Sequence, residues 1–192
     1  GQFGASVWVC RSWIAPPDPH ATNLLLDPGL GFGTGTHPTT ALCLSELASM
    51  TLTGHSVVDY GCGSGILAVA ALQLGASSVL AVDNDPQALV ASKDNATRNQ
   101  MAASSLRVAL PEQVNFDTDA GAANLVIANI LAGPLIALSD TLLALLKPGG
   151  TLLLSGLLAS QAEHLCAHYA PQIQLRVAGE RDGWVCLRGE LN

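Results

Sequence analysis

The stretch VVDYGCGSGILAVAALQLG, residues 57–75, constrains the fold more than any other part of the chain. A hydrophobic strand pattern runs directly into glycines at 61, 63 and 65, then into an amphipathic helical run closed by Gly75. Glycines at this spacing let a buried strand turn sharply into a helix that packs back on it. A helix entered in this way returns the chain to a parallel neighbouring strand, so the segment predicts an α/β sheet.

The remaining chain follows the same alternation. Strand patterns lie at 56–60, 78–82, 105–110, 124–128 and 150–155, and helical ones at 65–74, 86–99, 134–146 and 158–169. Asp85–Pro86 reads as an N-cap with proline in the first helical position, Gly133–Pro134 opens the next helix similarly, and KPGG at 147–150 is a closing turn. After residue 170 two strand-like runs, 172–178 and 183–189, flank the charged turn GERDG and predict an antiparallel hairpin at the sheet edge. Residues 1–35 form a lead-in segment: a short strand (VWVC), then PPDP, then an extended run into glycines 29, 31, 33 and 35. Pro38 then starts a helix ending near residue 50. The sequence opens without an initiator methionine, as if in mid-protein, which raises the expectation that a preceding domain has been cut away.

Composition narrows the function. With 192 residues, 49% apolar and only 12% charged, the chain is expected to be one core-rich domain. It has no apolar stretch of the roughly 18 residues that a membrane span requires, and no basic-then-apolar secretory start. The five cysteines (Cys10, Cys43, Cys62, Cys166, Cys186) are far apart and lack zinc spacing, as expected of buried, reduced thiols in a cytoplasmic protein; a nucleophilic Cys62 is the minor reading. Net charge is −7, and the 8 lysines and arginines are scattered, so neither a nucleic acid nor a membrane is the expected partner; a basic partner suits the chain better.

A glycine turn after a strand serves several cofactors, so charge must discriminate. Asp59 lies two residues before Gly61, where the pyrophosphate of a dinucleotide would add a second anion. Like charges about 4 Å apart cost on the order of 4 kcal/mol at an effective dielectric of 20. S-adenosylmethionine carries a sulfonium and no phosphate, and the charge argument selects it. Asp83, in VDND at the second strand's tip, is placed to accept ribose hydroxyls, and Asp85 caps the following helix. The helix starting at Pro38 offers free N–H groups and the hydroxyls of Thr39 and Thr40 to the methionine carboxylate, with Phe32 as a swinging lid. The plainer alternatives are a loop-bonding Asp59 and glycines that only make tight turns.

Asn129 ends the fourth strand, in the crevice where such sheets bind ligands. Its amide oxygen can accept a hydrogen bond from an amine and aim the lone pair at a methyl donor. Asn129-Ile130-Leu131-Ala132 lacks the two prolines and aromatic that serve planar acceptors, leaving an aliphatic amine. No general base stands out; His37 is either a base or a helix cap, and Trp184 either walls the acceptor pocket or packs in the core.

LDPGLGFGTGTHPTT, VVDYGCGSGILAVAALQLGA, VDNDPQA and ANILAGPL, in this order, resemble the bacterial methyltransferases (PrmA type) that modify ribosomal protein "L-eleven" of the large subunit. The resemblance spans 1–192 and implies a Rossmann-like class I methyltransferase domain with a mostly parallel seven-stranded sheet. It implies methyl transfer from S-adenosylmethionine to lysine ε-amines and the N-terminal amine of that protein, with Thr40, Gly61, Asp83 and Asn129 at the cofactor; the glycine turn adds Gly63. It also implies an N-terminal substrate-recognition domain, which is expected to be missing ahead of Gly1. Two other readings stay open on the residues alone: an N-methyltransferase of small molecules or nucleic acid, and a non-catalytic module of the NAD type.

Overall fold

The structure, a computed structural model, describes residues 37–192 in full and the backbone of three earlier strands. These are β1 (Gln2–Phe3), β2 (Val7–Arg11) and β3 (Thr22–Leu26), a small sheet in which β2 is antiparallel to β1 and parallel to β3. The VWVC strand read from the sequence is β2. Phe32, the PPDP segment and the glycines at 29–35 lie outside the described residues.

The main sheet contains β4 (Ser56–Tyr60), β5 (Ser78–Val82), β6 (Leu106–Ala109), β7 (Ala123–Asn129), β8 (Leu146–Leu158), β9 (Arg176–Arg181) and β10 (Trp184–Glu190). Its order is β6-β5-β4-β7-β8-β10-β9, with β4 to β8 parallel and β10 antiparallel to both neighbours. Helices α1 (Pro38–Ser49), α2 (Ile66–Gln73) and α3 (Pro86–Arg98) cover one face. After a short α4 (Phe116–Asp119), α5 (Ala132–Ala137), α6 (Ser139–Leu145) and α7 (Ala162–Tyr169) cover the other. Strand alternation divides the core accordingly: Val57, Val79, Leu125, Ile127 and Leu153 face α1–α3, whereas Val58, Leu80, Val126, Leu152 and Leu154 face α5–α7. This is the expected Rossmann-like architecture. The direction of winding reverses between β4 and β7, which opens a crevice at their carboxyl ends.

Four local readings change. The helix after the glycine turn is not amphipathic: Ile66 to Leu72 are all buried, because α1 and α3 flank α2 as well as the sheet. The helical run 134–146 begins at Ala132 and breaks at Leu138. There the Leu135 carbonyl, which an unbroken helix would offer to Ser139, accepts a 2.6 Å bond from the buried Tyr169 hydroxyl of α7. KPGG is no terminal turn but an excursion within β8, since Leu146 already pairs with Ala123 and Thr151 with Leu125. The hairpin turns on Asp182 and Gly183 alone, both at positive φ, so Gly179, Glu180 and Arg181 belong to β9. Aspartate-glycine is the turn that strand twist favours, and it outweighed the charge clustering that suggested a longer loop.

Candidate active site

The glycine turn is fastened from two sides. Gly61 and Cys62 donate backbone hydrogen bonds of 2.7 and 2.9 Å to the Val82 carbonyl at the tip of β5. Asp83 follows, one carboxylate oxygen accepting from the Gly63 amide (3.0 Å) and the other from the Asp85 amide (2.9 Å). Each oxygen keeps a second lone pair. From α3, the Ser92 hydroxyl donates to the Gly63 carbonyl and the Asn95 amide to the Ser64 carbonyl. Asp85 caps α3 by accepting from the Gln87 amide, with Pro86 in the first turn as expected.

The second half of the site comes from α1, β7 and β8. His37 caps α1, its Nδ1 accepting from the Thr39 amide at 3.3 Å and lying 2.8 Å from the Thr39 hydroxyl. Thr39 and Thr40 are buried. The buried Ser155 hydroxyl of β8 donates to the Thr39 carbonyl (3.0 Å), and the Asn129 amide of β7 donates to the Thr40 hydroxyl (3.2 Å). The amide nitrogen being so engaged, the Asn129 carbonyl oxygen is the group left to accept from a ligand. Trp184 meets the His37 ring edge-on, with centroids 5.4 Å apart.

Ile130 joins the halves. Its amide donates to the Ser155 carbonyl, and its side chain fills the space beside Gly61, where a β-carbon would lie 2.5 Å from Ile130 Cγ2. At Gly156, with φ +97°, a β-carbon would come within 2.0 Å of the Ile130 carbonyl oxygen. The segment after Asn129 therefore lies directly against two backbones.

Asp59 is the electrostatic anomaly. It is 1% exposed, and among the described residues neither carboxylate oxygen has a hydrogen-bond partner. Burial raises its pKa to about 7, the Asp83 charge adds to the rise, and the Ala68 amide, short of a well-formed bond, offsets part of it. The loop-bonding alternative is thereby removed. Burial also pushes the Cys62 thiol up to about 12, leaving it a poor nucleophile at neutral pH, and Cys43, Cys62, Cys166 and Cys186 are all free thiols.

The domain matches the model of the family "Ribosomal protein L11 methyltransferase (PrmA)" over residues 1–192. The chain belongs to this family. Family members from Teredinibacter turnerae and Pseudomonas aeruginosa are each 52% identical over 188 residues, which is 98% of this chain but 62% and 63% of theirs. The chain thus spans under two thirds of the length of the curated relatives it matches. The crystal structure of a ribosomal protein L11 methylase from Lactobacillus delbrueckii subsp. bulgaricus superposes with a TM-score of 0.84 at 30% identity, covering 98% of this chain and 96% of that one. A SAM-dependent methyltransferase from Aquifex aeolicus, at 12% identity and TM-score 0.64 over 78% of this chain and 87% of its own, shares the fold alone.

Of the residues picked from the sequence, the structure pairs Thr40 with Asn129 and Gly63 with Asp83, and sets Gly61 against the residue after Asn129. His37 is a cap and Trp184 packs on it. Sequence reading missed Ser92, Asn95, Ser155, Ile130 and Gly156. Serine and asparagine inside a helix or strand predicted to be buried are a signal for such bonds, but the partner 29 or more residues away is not. Among the described residues no helix is long and apolar enough to cross a membrane, and no His, Cys, Asp and Glu cluster could hold a metal ion. Cavities of about 190 and 440 Å³ lie at the opposite, amino-terminal ends of the strands, beside Ser56, Ser78 and Arg107, and beside His55, Asn124 and Lys147.

Proposed function

We propose that this chain transfers methyl groups from S-adenosylmethionine to amines of ribosomal protein L11, at lysine side chains and the N-terminal α-amine. The observation that carries the reading is the Asn129–Thr40 pair at the winding reversal, which leaves one amide oxygen to orient an acceptor. The family's name supports the methyl transfer and its target.

The cofactor supplies, when bound, an electrophilic methyl on a positively charged sulfur. The residues present fit it. Asp83 has lone pairs left for ribose hydroxyls, the first turn of α1 offers the Thr40 amide and hydroxyl to a carboxylate, and Asp59 holds a buried site for negative charge with no cation beside it among the described residues. Asn129 accepts an N–H of the incoming amine and fixes the direction of its lone pair, which converts an encounter into an oriented attack. The segment Ile130-Leu131-Ala132 has no aromatic plane to stack on, which suits a flexible aliphatic amine. His37 is engaged as a cap, so the amine loses its proton to water; a low-dielectric site favours its neutral form.

On this reading residues 1–192 make one methyltransferase domain, the 1–35 segment leads into a loop that covers the cofactor, and the protein works in the cytoplasm. Incubation with methyl-labelled S-adenosylmethionine and purified ribosomal protein L11, followed by mass spectrometry, tests it. Label on lysine and amino-terminal nitrogens is expected. No label in L11, or label only in a ribonuclease-sensitive fraction, rejects the reading.

A further inference from the structure

We infer that Asp59 is a charge switch beneath the cofactor crevice: it carries a proton while the crevice lacks a cation, and releases it when the sulfonium of S-adenosylmethionine arrives. The domain then favours the methyl donor over its product S-adenosylhomocysteine, whose sulfur is uncharged. This rests on the reading under Proposed function and concerns how that same site distinguishes the two forms of its cofactor.

The placement follows from the register. Asp59 pairs with Ala81 on one side and Ile127 on the other. It lies two residues before Gly61, as Ile127 lies two residues before Asn129. Side chains two apart on a strand share a face, about 7 Å from each other. Asp59 therefore sits one layer below the Gly61–Asn129 level, on the face covered by α1 and α2. A carboxylate there serves no packing purpose that an apolar residue would not serve better.

Its surroundings compensate it only in part, through the Ala68 amide. Among the described residues, the titratable groups acting on it are the Cys43 thiol from α1, the Cys62 thiol from the glycine turn and the Asp83 carboxylate at the tip of β5. Helix α2 carries no ionisable residue along Ile66–Gln73, and β7 presents Ile127 and Asn129. Burial holds both thiols well above their usual range, so both are neutral at pH 7. Glu46, further along α1, is engaged with Arg188. A carboxylate so weakly compensated in a low-dielectric interior either keeps its proton or needs a cation. With burial and Asp83 raising its pKa to about 7, both states are close in free energy at neutral pH, and one added positive charge decides between them. The proton released passes to solvent, and one returns when the product, with its neutral thioether sulfur, occupies the site.

Calorimetric titration of the wild-type chain with S-adenosylmethionine, in buffers of different ionisation enthalpy, reads the proton directly. Near one proton should leave per cofactor bound at pH 6 and almost none above pH 8, and affinity should rise about tenfold per pH unit below 7. S-adenosylhomocysteine should show only the part that its ammonium contributes. The cofactor's own ammonium contributes equally to an Asp59→Asn variant, in which the remaining release and its pH dependence should vanish. Infrared difference spectra need no variant: the carbonyl band of a protonated carboxylic acid should disappear when S-adenosylmethionine is added. Binding with the same proton count in wild type and Asp59→Asn, or an unchanged carbonyl band, overturns the switch and leaves the methyltransferase reading standing. Failure of S-adenosylmethionine to bind at any pH overturns both.

Discussion

The two faces of the central sheet differ in what they bury. Under α5–α7 the core is mostly aliphatic: Val58, Leu80, Val126, Leu135, Leu142, Leu145, Leu152 and Leu154, with Tyr60 and Tyr169 as its large polar-tipped members. Under α1–α3 the same sheet also buries Thr39, Thr40, Asp59, Ser64, Ser92, Asn95 and Ser155. Most of these are satisfied by bonds that fix the glycine turn and the tip of α1; Asp59 is not. Polar groups in a core cost stability unless they are paired. One face of the sheet is therefore built for stability, and the other gives some up to hold a site in one geometry.

Substitutions can break or sharpen this contrast. The largest effect is expected where the faces meet, at Gly156. Alanine there combines a strained positive φ with a β-carbon 2.0 Å from the Ile130 carbonyl oxygen, a loss on the order of 5 kcal/mol. Circular dichroism should show little folded protein, and a normal melting curve would mean that Ile130 moves freely.

Asp59→Asn should act in the opposite direction. The folded protein holds the Asp59 proton more tightly than the unfolded chain, whose value is near 3.8. Stability is thus lost as pH rises from about 4 through about 7 and is level above that. The variant should match wild type at pH 4 and exceed it by about 4 kcal/mol at pH 8, from roughly three pKa units at 1.4 kcal/mol each. Urea titrations at the two values check this, and a gain independent of pH would contradict it.

On the aliphatic face, Leu142→Ala should cost about 3 kcal/mol through its cavity, while methyl transfer below the lowered melting temperature stays near wild type. Asn129→Ala should do the reverse: turnover falls about 100-fold, equivalent to roughly 3 kcal/mol of barrier, with little change in Tm. If Asn129→Ala lost stability and kept its turnover, the division between the faces would be refuted. The smallest effect is expected of Ser155→Ala, about 1 kcal/mol of stability with a raised KM for the cofactor, because Thr39 loses its tether. Recovery in Ser155→Thr would show that the hydroxyl is responsible.

Much of this was legible in the residues. Strand and helix periods located β4 to β7 and α1 to α3 to within a few residues, because hydrophobic alternation reports burial directly. Asp83, Asn129 and the glycines stood out because a turn between a buried strand and a buried helix admits few residue types. Asp85–Pro86 is a local device whose chemistry is complete within two residues. Less legible was α2, whose apolar run does not say how many neighbours enclose it. The break at Leu138 was hidden for a similar reason: it depends on the Tyr169 hydroxyl, 34 residues from the carbonyl it takes.

By itself, the sequence determined the order of the elements, the position of the glycine turn and the acidic character of the crevice, since each follows from residues adjacent along the chain. Only the tertiary structure decided that Asn129 donates to Thr40, that Ser155 tethers Thr39, and that Asp59 stands buried without a partner. Those facts depend on which strands become neighbours, and a hydrogen bond over some 3 Å is fixed by packing across the whole domain.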